Sequence, residues 1–261
     1  MLYRLKYIAP SGRVWPLIDE DHRGVFVQTG GLGSLRGRRA ESVTQLVGRD
    51  GQRRLGGQRL QGFTSNVTFV VTEFEGRSPG DVWADWLRDW DDSKPGSFVF
   101  ESDEGISSLT IPVRLAADSE VGSPERQPDD SGFFTVVLSL VFDSGRWEKT
   151  YSSNANSVTV TNWGDSLVFP TITWQGAGGT VTTPSGSTFV LPAAKDRRFL
   201  LLDSAESYLV VDEKENVDKP LWHAVRGKVI SAPVVPGKEA TWKLPSGAGM
   251  TWKIGVINPW R

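Results

Sequence analysis

The stretch Asn162-Trp-Gly-Asp-Ser-Leu-Val-Phe-Pro-Thr-Ile-Thr-Trp-Gln-Gly176 combines a turn, an alternating strand and a second turn. Asn162 and the glycine two residues later are turn formers, and Pro170 favours a sheet edge or a bulge. After the proline, Ile172 and Trp174 share one face of the predicted strand, and the threonines beside them take the other face. The stretch therefore predicts the opening of a β domain, and it contains no recognisable catalytic motif.

The residues around this stretch predict a series of short strands. Turns rich in Gly, Pro and Asn separate them at intervals of about 8–12 residues, which is the spacing of a β-sandwich. No helical periodicity interrupts the series, so we expect the second half of the chain to be β throughout. The predicted strands are 158–161, 171–174, 188–191, 199–203, 209–212, 240–243 and 250–258.

One helix is predicted in the first half of the chain, over residues 79–90. Ser78 is a suitable N-cap, and a proline and an aspartate follow it in the first turn. Trp83, Trp86 and Trp90 follow the i, i+3, i+7 spacing of a single apolar stripe. We expect this stripe to be buried, either against the N-terminal sheet or against a neighbouring subunit.

The remainder of the first half predicts strands joined by loops. Residues 30–37 predict a flexible loop of Gly and Arg, residues 47–51 predict a tight turn, and the acidic, proline-containing residues 120–131 predict a long exposed loop. The predicted strands are 13–18, 24–28, 63–74, 97–101, 108–115 and 133–142.

The Ser- and Asn-rich stretch 149–158 is polar and lacks periodicity, and it predicts a linker. We therefore expect two domains. The first is a β domain with one α-helix over residues 1–150, and the second is a β-sandwich over residues 158–261. The fold class predicted for the whole chain is mainly β.

The composition excludes several classes of protein. The chain has 261 residues and no cysteine, so a disulfide scaffold, a thiolate metal site and a cysteine nucleophile are excluded. Charges interrupt the N-terminus where a secretory signal would be apolar, and no apolar run approaches the roughly 20 residues of a membrane span. We expect a soluble protein, made in the cytoplasm, with no membrane partner.

A net charge of −2 conceals two blocks of opposite sign. Residues 36–59 carry seven arginines against two acids, a net charge of +5, whereas residues 73–130 carry fifteen acids against five bases, a net charge of −10. These blocks are either two solvated surfaces or two complementary patches that meet between copies of the protein. In the second case, the candidate subunit-interface residues of the basic block are Arg36, Arg38, Arg39, Arg53 and Arg54.

Candidate chemistry is sparse, and we predict no catalytic residue, no metal site and no cofactor. His22 follows three acids, but adjacent residues rarely converge on one ion, so a solvated acidic turn is the simpler interpretation. The glycines at 30–33 fit neither a P-loop nor a dinucleotide fingerprint. The arginine block lacks interleaved aromatic residues and a recognition helix, so direct recognition of nucleic acid is not expected.

Eleven tryptophans are an excess for this length. Carbohydrate-binding sandwiches stack sugars on exposed tryptophan rings, which makes carbohydrate binding the alternative function. The competing interpretation is that these rings fill cores and interfaces, as the helix stripe indicates.

The order of these features resembles the distal tail proteins of long-tailed bacteriophages. The resemblance rests on a β domain with one helix, an arginine-rich excursion that contains Val47-Gly-Arg-Asp-Gly51, and the turn-strand pattern of residues 162–176. The closing Ile257-Asn-Pro-Trp-Arg261 also resembles the termini of tail proteins. The resemblance spans essentially the whole chain.

The resemblance implies a non-enzymatic structural protein of the virion. In this family the N-terminal domain forms a hexameric ring below the tail tube, the Gly-Arg-Asp-Gly turn lies in an extended hairpin of that domain, and a galectin-like sandwich follows. The implied location is the tail tip, as a baseplate hub or minor tail protein. The implied partners are further copies of the chain, the tail tube protein, the tape measure protein and other tip hub proteins.

Overall fold

The computed structural model describes residues 3–18, 21–40, 43–45, 52–54, 59–103, 108–117 and 132–260. The chain is mainly β, as predicted, and divides into two compact units. Unit 1 comprises Met1–Glu148 together with Val256–Arg261, and unit 2 comprises Lys149–Gly255. None of the helices in the described part of the chain combines the length and the apolar character that crossing a membrane requires.

The described residues of unit 1 form twelve strands, a 3₁₀ helix at Gly31–Leu35 and the helix α1, Pro79–Arg88. The last strand, β12, continues into unit 2. The strands are β1 Tyr3–Ile8, β2 Val14–Ile18, β3 Val25–Val27, β4 Arg38–Ala40, β5 Val43–Gln45, β6 Gln52–Arg54, β7 Arg59–Gln61, β8 Phe63–Thr72, β9 Gly96–Ser102, β10 Leu109–Leu115, β11 Phe133–Phe142 and β12 Trp147–Ser153.

Antiparallel pairing builds unit 1 around strand β10. On one side the order is β10–β9–β1–β2, and on the other it is β10–β11–β8–β3. Strands β8 and β11 pair over their full length, from Phe63 opposite Phe142 to Thr72 opposite Phe133. Both strands alternate buried and more exposed residues, because every second side chain of a strand faces the core. This alternation is why both strands were predictable.

Helix α1 begins where the sequence predicts. The Ser78 side chain accepts a hydrogen bond from the Asp81 backbone N–H at 3.3 Å, which satisfies one of the free donors of the first turn. The helix ends at Arg88, two residues before the predicted end, because Asp89 is its C-cap. Trp90 therefore lies just beyond the helix, where its ring stacks on Tyr7 at a centroid distance of 4.1 Å.

The tryptophan stripe of α1 is buried inside unit 1. Trp86 has no exposed surface, and its ring makes edge-on contacts with Tyr7, Trp15, Phe69 and Trp90 at centroid distances of 5.1–5.4 Å. Aromatic rings prefer this arrangement because the positive edge of one faces the negative face of another. Of the two expected environments, the N-terminal sheet is therefore the one that covers the stripe.

Asp89 ties the end of α1 to the first hairpin of the chain. Its buried carboxylate accepts hydrogen bonds from the Trp15 indole at 2.7 Å and from the Ser11 hydroxyl at 3.1 Å, and it pairs with Arg13 at 3.4 Å. The Tyr7 hydroxyl donates to the Asp89 carbonyl at 2.8 Å. Burial, followed by the nearby negative charges of Asp89 and Asp91, raises the pKa of Tyr7, so its hydroxyl stays protonated and remains a donor.

Unit 2 is a sandwich of two antiparallel sheets around one core. One sheet has the order β18–β17–β14–β20 and the other has the order β13–β19–β15–β16. Buried residues of both sheets, including Trp174 and Trp242, belong to one apolar cluster. The strands are β13 Ser157–Thr161, β14 Thr171–Gly176, β15 Gly179–Thr182, β16 Thr188–Leu191, β17 Ala194–Leu201, β18 Val210–Val211, β19 Glu239–Lys243 and β20 Ala248–Val256.

The stretch that opened the sequence analysis organises this sandwich. Ile172 and Trp174 are both buried in the core, as their shared face predicted. Asn162 is fully buried, and its side-chain amide donates to the carbonyls of Ser166 and Val234 at 2.8 and 2.7 Å, while its side-chain oxygen accepts from Gly164 at 3.0 Å. The predicted turn former therefore closes a turn and joins it to a distant loop.

Several predictions about local structure were wrong. Unit 2 contains a helix, α2 at Lys219–Val225, which begins with Asp218 as N-cap and a proline in its first turn. The polar stretch 149–158 is occupied mainly by β12 and β13 and is not an irregular linker. The loop predicted at 30–37 contains the 3₁₀ helix. The turn predicted at 47–51 and the loop predicted at 120–131 lie outside the described residues, and the domain boundary at 150–158 stays a prediction.

Replacing Trp86 by alanine is expected to lower the free energy of unfolding by about 3–5 kcal/mol, because the substitution leaves a large cavity among four rings. The matched control is Phe133→Ala, since Phe133 is an aromatic residue of the same unit with 55% of its surface exposed. That change should cost less than about 1 kcal/mol. Urea unfolding followed by tryptophan fluorescence measures both, and equal costs would contradict this description of the core.

Unit 2 is expected to lose stability in acid through Asp218. Arg198 donates to its carboxylate at 2.7 Å and holds the pKa of Asp218 below its usual range. A carboxyl group whose pKa is lower in the folded state stabilises the fold above its unfolded pKa of about 3.9, and this contribution disappears as the pH falls through the folded pKa. Asp218→Asn, which keeps a helix cap, should therefore cost about 1 kcal/mol or less at pH 7, and less as the pH falls through the folded pKa of Asp218.

The control for this measurement is Asp196→Asn. Asp196 lies 4.0 Å from Arg198, but its side chain is 69% exposed, so its loss should leave stability unchanged across the same pH range. Urea unfolding at a series of pH values provides the comparison. A cost for Asp218→Asn that does not change with pH would show that the ion pair is not its cause.

Candidate functional site

The arginine block lies on a two-part antiparallel hairpin, which we call the arm. Strand β4 pairs with β7, with Arg39 opposite Leu60, and β5 pairs with β6, with Thr44 opposite Arg53. Neither pair joins any other sheet of the described residues. The Val-Gly-Arg-Asp-Gly sequence falls between β5 and β6, outside the described residues. The arm is therefore an excursion from unit 1 that carries its own pairing.

The five candidate arginines are distributed along the arm and its base. Arg36 precedes β4, and Arg38 and Arg39 lie on it; all three are exposed. The Arg38 guanidinium lies 5.3 Å from the centre of the Phe63 ring, a cation–π distance that orients this side chain at the base of the arm. Arg53 and Arg54 lie on β6. The structure thus brings the predicted basic residues onto one hairpin.

Three glycines form the root of the arm, where backbones meet without side chains between them. A Cβ atom on Gly145 would lie 2.2 Å from the Gln61 carbonyl oxygen, one on Gly37 would lie 2.5 Å from the Gly145 carbonyl oxygen, and one on Gly62 would lie 2.9 Å from the Asp143 carbonyl oxygen. Side chains at these positions would separate the arm from the body. The glycines therefore fix where the arm leaves unit 1.

Hydrogen bonds hold the approach to this root. The Gly37 N–H donates to the Ile257 carbonyl at 2.8 Å, and the Trp147 indole donates to the Leu35 carbonyl at 2.8 Å. Leu35 and Trp147 are fully buried. The 3₁₀ helix before the arm is thus anchored by a tryptophan, and the C-terminal residues of the chain secure the first strand of the arm.

Many described acids of the block 73–130 already have partners within the chain. Asp85 pairs with Arg77 and Arg88, each at 2.9 Å, and Glu101 pairs with Lys6 at 2.6 Å. Asp91 accepts hydrogen bonds from the residues of the turn after α1, and the bond from the Ser93 hydroxyl is the main cause that lowers its pKa to about 2. Lys6, and Arg13 beside Asp89, lie outside the block, so the sum of −10 overstates the negative charge that is available to another molecule.

The predicted stripe residues Trp83, Trp86 and Trp90 lie away from any free surface, with exposures of 9%, 0% and 8%. Such burial within one chain leaves little of them for a neighbouring subunit to contact. Their role in the structure is to hold α1 on its sheet. Arg36, Arg38 and Arg39, in contrast, are exposed.

No group of three or more His, Asp or Glu side chains that could hold a metal ion occurs in the described part of the chain. The His22 ring accepts a hydrogen bond from the Gly24 backbone N–H at 3.2 Å and lies 5.1 Å from Phe26. His223 is exposed on α2 beside Trp222. These two histidines therefore occupy unrelated places and do not form a common site.

The tryptophans bear on the alternative of sugar binding. Seven of the eleven are buried, and the other four, Trp163, Trp222, Trp252 and Trp260, are half-buried. Each of the four has a partner within the chain. Trp163 donates to the Tyr151 hydroxyl, Trp252 stacks on Tyr151, Trp222 lies against Arg226, and Trp260 packs against Phe100.

Comparison with known proteins gives matches at the level of structure. No protein-family model matches the chain, and no curated protein matches its sequence. Among solved structures, the crystal structure of the SPP1 Dit protein aligns with a TM-score of 0.60 and 14% sequence identity, covering 98% of this chain and 100% of that one. The chain has a fold similar to SPP1 Dit over its whole length.

Two structures of the phage P2 baseplate in its activated conformation also match. The form with calcium aligns at 12% identity and the form with strontium at 13%, each with a TM-score of 0.51 and with 97% of this chain and 98% of the other covered. The Dit structure is described as a paradigm of the hub adsorption apparatus in phages that infect Gram-positive bacteria. Because the alignment with Dit covers 98% of this chain, the similarity to Dit includes both units.

The glycine root was not found from the sequence. Gly37, Gly62 and Gly145 are far apart along the chain, and each on its own is an ordinary turn residue. The available signals were that Gly37 lies near the start of the arginine block and Gly62 just after its end, and that Gly145 follows a predicted strand within an Asp-Ser-Gly turn. Only the fold shows that the three backbones meet.

Gly145→Ala and Gly132→Ala form a matched pair that tests the root. Both glycines have a left-handed backbone, with φ of +65° and +67°, but no atom lies within 4 Å of a Cβ placed on Gly132. The Gly132 change should cost about 1–2 kcal/mol for its backbone conformation alone. The Gly145 change should cost at least about 2 kcal/mol more, because the new methyl group overlaps the backbone of β7. Equal costs in urea unfolding would contradict the close packing of the root.

Proposed function

We propose that this protein is a structural hub of a bacteriophage tail tip, a distal tail protein that forms a ring. The observation that carries the proposal is the full-length similarity to SPP1 Dit, which covers 98% of this chain and 100% of that one. Because the two sequences are only 14% identical, the match supports the fold directly and the function by inference. The sequence features of the distal tail family point the same way.

In the proposed assembly, six copies close into a ring through unit 1. A head-to-tail ring needs two different complementary surfaces on each copy. The arm supplies one of them, since it is a separate hairpin that presents exposed arginines. The acids of residues 73–130 that lack a partner within the chain would meet it on the next copy. Rim charges set specificity and the rate of association, so apolar contacts must supply most of the affinity.

The ring is proposed to join the tail tube to the host-adsorption apparatus. Its partners would be the tail tube protein, the tape measure protein and the other hub proteins of the tip. Unit 2 is the proposed galectin-like sandwich, and the location is the virion tail tip after synthesis in the host cytoplasm. The proposed role is structural and includes no enzymatic step.

Carbohydrate binding is the less favoured function. Sugar stacking needs an open aromatic face, and the four half-buried tryptophans already contact partners within the chain. The size of the purified protein and its binding to glycans distinguish the two functions. Negative-stain images of the purified protein should show six-fold rings, whereas a monomer that binds a glycan array would favour the alternative.

Reversing Arg53 and Arg54 to glutamate is expected to slow ring formation several-fold without unfolding the monomer. The matched control reverses Lys214 and Lys238, two exposed lysines of unit 2, and changes the net charge by the same amount. Assembly is followed by light scattering in low salt and in salt above about 0.15 M, where the Debye length falls below roughly 8 Å. The wild type should assemble more slowly in high salt.

Two results would contradict the proposal in different ways. If the arginine-reversed protein forms rings as fast as the wild type at low salt, the arm does not meet acids across the subunit boundary, although the hub role survives. If the wild type forms no ring under any condition and is absent from purified tails, the hub role itself fails.

A further inference from the structure

Strand β16 is the last strand of its sheet, which runs β13–β19–β15–β16, and its outer side pairs with no other described strand. Its sequence, Thr-Phe-Val-Leu, carries no charge, and Val190 is 60% exposed. Exposed apolar edges are uncommon in soluble proteins, because they offer unpaired backbone groups to other chains. An edge strand that keeps unpaired backbone groups and an exposed valine is therefore a candidate binding site for another chain.

The turn before β16 sets which of its backbone groups face outward. The Thr183 N–H donates to the Ser187 carbonyl at 2.8 Å, so these two residues are a hydrogen-bonded pair of the antiparallel ladder. Hydrogen-bonded and non-bonded pairs alternate along such a ladder. Phe189 therefore bonds to β15, whereas Thr188 and Val190, which lie opposite Thr182 and Thr180, direct their N–H and C=O groups away from it. Both sets of outward groups lie on the free edge.

A groove of about 440 Å³ adjoins this edge. Helix α2 forms part of its lining. The lining residues are Thr188, Phe189, Val190, Pro192, Ala224 and Lys228, and Lys228 is the only charged residue among them. Pro192 has no N–H to donate and a turn precedes Thr188, so the available edge is about 13 Å long. The groove therefore combines two backbone donors, two backbone acceptors, an apolar surface and one cation.

We propose that this groove binds a short extended segment of another polypeptide, which adds a strand to β16 and places a carboxylate against Lys228. Only an extended peptide repeats a donor and an acceptor at every second residue, as Thr188 and Val190 do. Lys228 is the single charge in the groove, so charge complementarity favours an acidic segment. The proposal does not depend on ring formation.

The edge can be closed without disturbing the sheet. A proline at position 190 removes an N–H that β15 does not use, and edge strands tolerate proline when the lost N–H faces outward. Val190→Pro should therefore fold and block strand addition. Val190→Thr is the matched control, since it changes the side chain at the same position and keeps the N–H.

The probes are two fluorescein-labelled peptides, Glu-Thr-Val-Thr-Val-Glu and Lys-Thr-Val-Thr-Val-Lys, titrated with the full chain and followed by fluorescence anisotropy. The acidic peptide should bind about threefold more tightly at low salt, and Lys228→Glu should reverse this preference. Val190→Pro should lower the affinity for the acidic peptide at least tenfold. The affinity of Val190→Thr for the same peptide should stay within threefold of that of the wild type.

A second measurement does not rely on the proline variant folding. Methylating alternate backbone nitrogens of the acidic peptide removes donors from one edge of the added strand, and one of the two methylation patterns should abolish binding while the other leaves it intact. The proposal is overturned if neither unmethylated peptide binds, if a folded Val190→Pro protein binds like the wild type, or if both methylated peptides bind. Equal affinity for the acidic and basic peptides would overturn the assignment of a carboxylate to Lys228.

Discussion

The burial of Trp86 among four aromatic rings is the constraint on which unit 1 depends. Its edge-on contacts with Tyr7, Trp15, Phe69 and Trp90 join strands β1, β2 and β8 to the helix and to the residue just beyond it. The Trp86 indole nitrogen is buried without an acceptor in the described structure, so the helix is held by ring contacts and by the polar network of Asp89. A helix of ten residues could not hold this position through its own backbone bonds, because isolated helices of that length are marginal in water.

The elements that the sequence predicted well are those with one buried face. Strands β8, β11 and β16 bury alternate residues, and α1 has both a cap and an apolar stripe. Strand β12 was missed because its side chains are mostly half-exposed, so its polar sequence looks like a linker. Helix α2 was missed because seven residues are too few to show a helical period. Local sequence therefore reports burial more directly than it reports backbone conformation.

The candidate site was predictable only in part. A count of charges located the arginines, and the structure places them on one hairpin with its own pairing. The same count could not show that Asp89 and Glu101 bind cations of their own chain, because their partners Arg13 and Lys6 come from the first hairpin. The root of the arm depends on three glycines whose spacing along the chain carries no information. Contacts between distant backbones leave almost no trace in a single sequence.

The glycine root makes the position of the arm independent of the side chains that the arm carries, whereas in most binding loops the two change together. Backbone contacts at Gly37, Gly62 and Gly145 fix where the arm leaves unit 1, whereas side chains along the arm would supply the proposed contacts with a partner. The outer arm could exchange many of its side chains for others without altering where it points. Under the proposed role of the arm, a lineage with this design could change the partner of the arm one substitution at a time, while the root keeps the position of the arm.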